Sequence, residues 1–254
     1  MLSFFGEPCL KKAVIARVKE HQRLDQIIQG TYWDGTRGCA IGCVLHSGDH
    51  MAYETQLGLP VFLAYMDEHI FERLPLEEAK GWPLRFIEAV PVGVDLELVF
   101  PRFMHWLLSD PHGMRESADA RTLRIIDDLT ILYARRIHGL PFDQASAQAA
   151  WTCVRAARAS AQASVQAAGA CVRAARASAQ ACARAAGACA GAAEASALAA
   201  GASAEACARA AGTIAIRRQA DALIAVLQSY ESKPGPVNAP CTPAQDVSEL
   251  IAEA

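Results

Sequence analysis

No run of eighteen strongly apolar residues occurs in the 254-residue chain. The nearest, around 185–203, is mostly Ala and Gly with Glu194 inside it, which excludes a membrane-spanning reading of that segment. Neither sign of charge dominates: 24 Lys and Arg stand against 27 Asp and Glu, and the formal net charge is −3. That balance removes any global reason to expect nucleic acid or an anionic membrane as partner. The opening MLSFFGEPCLKKAV places too few apolar residues ahead of its lysines for a secretory leader, so a cytoplasmic location is expected. Nine cysteines is an odd number, and five of them (153, 171, 182, 189 and 207) lie in one repetitive tract. Cysteines on one helical face cannot bridge to one another, so a secreted disulfide framework is disfavoured and reduced thiols are expected. Period-two alternation is also missing, which leaves an all-α fold.

What is present is helical periodicity. Residues 9–28 place Val14, Val18, Leu24, Ile27 and Ile28 on one side, with Gly30 as a natural stop. One helix or a pair is expected over Cys39–Leu57, then helices from Pro60 through Phe71 and over 76–89. Asp95–Leu108 holds an apolar cluster in which Pro101 suits a first turn. Arg121–Ile137 offers Leu123, Ile126, Leu129 and Ile137 to a core, and 213–230 is again amphipathic. The predicted organisation is an N-terminal helical domain (1–140), Ala-rich repeat helices closed by the amphipathic helix (141–230), and a flexible Pro-rich tail (231–254).

The repeat is distinctive. CVRAARASAQ stands at 153–162 and again, unchanged, at 171–180, within an eighteen-residue unit that decays toward 207. At 3.6 residues per turn, eighteen residues make about five whole turns, so equivalent positions return to one azimuth. The cysteines and serines then form a small face, while the arginines and glutamines lie opposite. Such a face packs closely but buries little apolar area per residue, so it must be long to hold. A continuous rod over 153–212 would reach about 90 Å; helices folded back as hairpins bury more and are the favoured reading. Six arginines against two glutamates over 151–212 carry no interleaved aromatics, which argues against nucleic acid. The tract is read as a spacer or association element that grew by in-register duplication, serving self-association or a protein partner.

Chemistry, if any, is expected in GTYWDGTRGCAIGCVLHSGDHMAYETQLGLP. Cys39, Cys43, His46, His50 and Glu54 follow one another at helical spacings. On an unbroken helix the stretch from Cys39 to His50 alone would span roughly 16 Å, far beyond the reach of one ion. A break at Ser47-Gly48-Asp49 would let Cys39, Cys43, His46 and His50 converge on a zinc-like metal, structural or water-activating, with His21, Asp25 and Glu54 as accessory groups. Two other readings stand beside it. The cysteines and histidines can be ordinary core and hydrogen-bonding residues, or Cys39 or Cys43 can be a nucleophile near a helix start with a histidine base. The alternative to a metal protein is a non-catalytic interaction or scaffold protein built on the Ala-rich helices.

The G-C-x-x-G-C-x-x-H-S-x-D-H stretch, with GWPLRFIEAVPVGVDLELVFPRFMHWLLSD after it, resembles a group of bacterial and phage-associated hypothetical proteins that pair such a block with a variable Ala-rich tail. The resemblance covers about residues 10–110 and implies no activity. The Ala-Arg tract is similar, in composition only, to polymorphic-toxin immunity proteins.

Overall fold

Apolar stripes at helical spacing need partners, and in this computed structural model they find one another across a single core. The structure describes residues 1–113, 115, 116, 118, 120–140 and 210–233. The eighteen-residue repeat, the tract 141–209 that carries it and the tail from 234 onward lie outside the described residues.

The described chain is helical: α1 (Pro8–Arg23), α2 (Ala40–Leu45), α3 (Ala52–Leu57), α4 (Val61–Phe71), α5 (Leu76–Ala79), α6 (Trp82–Ala89), α7 (Val99–Ser109), α8 (Ala120–Ile137) and α9 (210–228). A short 3-10 turn, Ser3–Gly6, precedes α1. Among the described residues there is no strand, only isolated bridges such as Ile27 with Gly38. None of the described helices is long and apolar enough to cross a membrane.

Helix α1 packs on α2 and α6, α2 on α4 and α6, α3 on α4, and α7 along α8. Val14 and Val18 are buried as their spacing requires, and so are Ile126 and Leu129 of α8. The pair of helices expected over Cys39–Leu57 is present, the helix after Pro60 runs to Phe71, and Pro101 falls in the first turn of α7.

Two boundaries differ. The first helix ends at Arg23, well short of Gly30, because Asp25 takes a left-handed turn (φ 52°) and the Gln26 N–H closes on the His21 carbonyl at 2.9 Å. Leu24 is therefore 46% exposed, while Ile27 stays buried through its bridge to Gly38. The helix expected over 76–89 is two, since a new one begins at Trp82 with Pro83 in its first turn.

The last described helix belongs to the same core. Ile216, Ala220, Leu223 and Leu227 of α9, spaced as one stripe, are all buried. The Arg217 guanidinium meets the Glu78 carboxylate on α5, Arg85 of α6 pairs with Asp221 at 2.7 Å, and Arg218 reaches Asp110 at the end of α7. Beyond α9, the Lys233 N–H donates to the Val92 carbonyl at 2.7 Å. The described body thus consists of 1–140 and 210–233, and the repeat tract leaves it at Leu140 and rejoins it at 210.

Candidate functional site

The segment 24–38 crosses over α2, and glycine is what lets it do so. A Cβ on Gly38 would stand 2.1 Å from the Tyr32 carbonyl oxygen, and one on Gly42 would stand 1.6 Å from the same atom. A Cβ on Gly48 would meet the Tyr32 side chain at 3.0 Å. The crossing is fixed by the Cys39 N–H, which donates to the Thr31 carbonyl (2.7 Å) and the Tyr32 carbonyl (3.2 Å). All three glycines of the G-C-x-x-G-C-x-x-H-S-G-D-H stretch therefore make room for one tyrosine and its backbone.

The two cysteines of that stretch face inward. Cys39 precedes the first turn of α2 and Cys43 lies within it, both buried as free thiols. The Cys43 Sγ–H donates to the Gly38 carbonyl at 3.3 Å. Burial pushes the Cys39 thiol up to about 11 and the Cys43 thiol up to about 12. Burial thus favours the protonated thiol of both near neutral pH, which works against the nucleophilic-cysteine reading. Cys9 lies in the first turn of α1.

The break at Ser47-Gly48-Asp49 is present, between α2 and α3. It parts the two histidines instead of gathering them. His46 ends α2 in a left-handed conformation (φ 54°), and its ring stacks on Trp33 with centroids 4.4 Å apart and planes 12° apart. Its Nε2 lies 2.8 Å from the Nε2 of His21 on α1. His50 turns toward α4 instead: its Nε2 meets the Glu68 carboxylate at 2.8 Å, and its ring stacks on Tyr65 at 4.6 Å. The Tyr32 hydroxyl also donates to Glu68, and that hydrogen bond, with the carboxylate's charge behind it, holds the phenol up to about 12.

The expected set of Cys39, Cys43, His46 and His50 is thus dispersed among the core, the α1 side and the α4 side. Of the accessory residues only His21 meets a member of the set. Asp25 pairs with Lys80 at 2.9 Å, and Glu54 lies on α3, in neither histidine pair. Among the described residues, no three His, Cys, Asp or Glu side chains are grouped so as to hold a metal ion.

A third feature went unread in the sequence. Asp67 is fully buried and accepts from the Tyr53 hydroxyl and the Trp82 indole N–H, each at 2.7 Å. Burial drives its carboxyl up to about 7, against the pull of those two donors. The signal was there: an acid at the centre of the apolar face that Leu63, Ile70 and Phe71 define on α4. The network ties α3, α4 and α6 together.

On the far side of α4, an apolar groove of about 390 Å³ runs between α4 and α7, lined by Phe62, Met66, Phe100, Phe103 and Met104, with Gln219 of α9 at its edge. Compared with known protein families, curated proteins and solved structures, the chain matches none, so the reading of its site rests on geometry.

Proposed function

We propose that the protein is a non-catalytic scaffold: a helical platform that presents the Ala-rich tract for association, foremost with other copies of itself. The observation that carries this reading is the burial of the α9 stripe in the core of residues 1–140. Both ends of the tract are anchored on one body, so changes in its length leave the platform's packing untouched, and loop length costs stability only slowly. An insertion growing in eighteen-residue steps, each preserving the small and polar faces, suits an element selected for reach or contact area. The buried, proton-bearing thiols support a platform without a reactive cysteine.

The test replaces 141–209 with a flexible Gly/Ser linker of about twenty residues. Sedimentation velocity is expected to show concentration-dependent association for the full chain and a monomer for the shortened one, with both melting at the same temperature. Equal association of the two chains would refute the reading. Loss of folding in the shortened chain would assign the tract to the core and refute it as well.

A further inference from the structure

The dispersal of the expected metal set leaves one pair whose ligand atoms do converge, His21 with His46. The atom facing His21 Nδ1 is the Gln26 side-chain oxygen, at 2.7 Å. That oxygen only accepts, so Nδ1 carries the proton and Nε2 presents its lone pair toward His46. A ligating histidine is prepared in the same way, with its second nitrogen donating to a carbonyl oxygen that fixes tautomer and ring orientation. On the other side, His46 occupies a left-handed helix end that glycine or asparagine commonly fills, and this conformation aims its Nε2 at His21. Trp33 stacks on the His46 ring and meets the His21 ring edge-on at 5.4 Å, limiting the motion of both. His21 is buried while His46 is exposed, so water reaches the pair from one side.

We propose that His21 and His46 form a two-imidazole seat for a divalent transition cation of the zinc type, with water completing its coordination. Imidazole suits zinc, copper and nickel, and bonds of about 2.0–2.1 Å at a tetrahedral angle set two nitrogens about 3.3 Å apart. The pair stands at 2.8 Å, so it must open by about 0.5 Å, which falls to the exposed His46. His46 passes its proton from Nε2 to Nδ1 as the cation enters. One charge opposes binding: Arg17 precedes His21 by one helical turn, with its Nη1 donating to the Val44 carbonyl at 3.0 Å. Glu20, beside His21 on α1, is already engaged by Arg23 through hydrogen bonds of 2.7 and 2.8 Å. The inference is independent of the scaffold reading, since it concerns α1 and α2 alone.

The experiment titrates the metal-free full chain with zinc chloride, by calorimetry and by thermal shift. One equivalent is expected to bind and raise the melting temperature. His21→Gln and His46→Asn, the latter because asparagine tolerates the left-handed position, should each weaken binding at least ten-fold while far-UV circular dichroism stays unchanged. Gln26→Ala should weaken it about ten-fold through loss of the orienting oxygen. His50→Ala and Cys43→Ser should leave it unaltered. Absence of saturable binding at one equivalent would overturn the proposal, and so would retention of wild-type affinity in either histidine variant. An equal loss in His50→Ala or Cys43→Ser would return the site to the larger set and overturn the two-histidine assignment.

Discussion

The crossing over α2 and the seam along α9 close the same core by opposite means. At the crossing, Tyr32 and its carbonyl lie in space that exists only because residues 38, 42 and 48 carry no side chain to fill it. Contacts at those three glycines are steric and backbone-made, and the two thiols beneath them are buried and protonated. Along α9, by contrast, an ordinary stripe of Ile and Leu does the packing, and charged pairs with α5, α6 and α7 border it at the surface. The first region should therefore be intolerant of a single added methyl at any of those glycines. The second should absorb changes at its exposed charges but not the loss of a buried side chain or of the cation that a buried carboxylate faces.

The largest effect is expected from Gly42→Ala. Its new Cβ would fall 1.6 Å from a backbone oxygen, which cannot rotate away as a side chain would. Overpacking of this kind costs about 3 kcal/mol or more, read by urea unfolding or as failure to accumulate folded protein. Gly212→Ala on α9 is the control: nothing lies within 4 Å, and a helical Ala there should stabilise by up to about 1 kcal/mol. If both substitutions proved neutral, the crossing would not depend on clearance and the contrast between the two regions would fail.

Next in size is Leu227→Ala at the seam. The side chain is fully buried, and its truncation should cost about 3 kcal/mol in the same assay. A cost below about 1 kcal/mol would mean that α9 is not part of the cooperative core, which would also remove the anchor on which the scaffold reading depends.

Asp67 sharpens the comparison from inside. Asp67→Ala leaves the Tyr53 hydroxyl and the Trp82 N–H buried without their acceptor, at a cost of about 2 kcal/mol. The group also ties stability to pH. Its carboxyl holds a proton up to about 7 when folded, against 3.8 for an ordinary aspartate, so the folded state binds more protons between those values. Its contribution is complete below 3.8 and is lost as pH rises through about 7, with a slope of up to about 1.4 kcal/mol per pH unit. Asp67→Asn should flatten that slope, as seen in urea midpoints measured from pH 4 to 8. Parallel profiles for wild type and Asp67→Asn over this window would show that the buried carboxyl does not titrate there.

Helices could be read from the sequence wherever one face alone had to be apolar. The amphipathic run 213–230 and the turn signal Ser47-Gly48-Asp49 gave their elements directly, because both are local. The site was harder, since its determinants are remote. Gly38 and Gly42 read as neighbours of cysteines, yet their role is to clear a carbonyl several residues upstream, which no spacing rule reveals. His46 shares helical spacing with His50 and Cys43, but its partner is His21 on another helix, brought close because α1 stops at Arg23 instead of continuing. The early stop follows from the left-handed turn at Asp25, and aspartate adopts that conformation only in particular tertiary settings. Periodicity thus fixed which residues share a face, and left undecided which faces meet.

The smallest effect should come from the seam's outermost pair. Arg217 and Glu78 meet through two parallel contacts, the Nε–Oε2 one at 2.8 Å, but both side chains are about half exposed to solvent. Coulomb attraction there is screened by water and salt, and ordering two long side chains offsets much of what remains. Arg217→Ala is therefore expected to leave the urea midpoint unchanged at 0.15 M salt and to lower it slightly only at low ionic strength. Arg218→Ala should cost more at both salt concentrations, because its partner Asp110 is only 6% exposed and would be left partly buried without its cation. If the two substitutions cost the same, with the same dependence on salt, burial would not be what distinguishes the charges along α9. The seam would then be held electrostatically rather than by its apolar stripe, and the contrast with the crossing over α2 would have to be drawn in terms of charge.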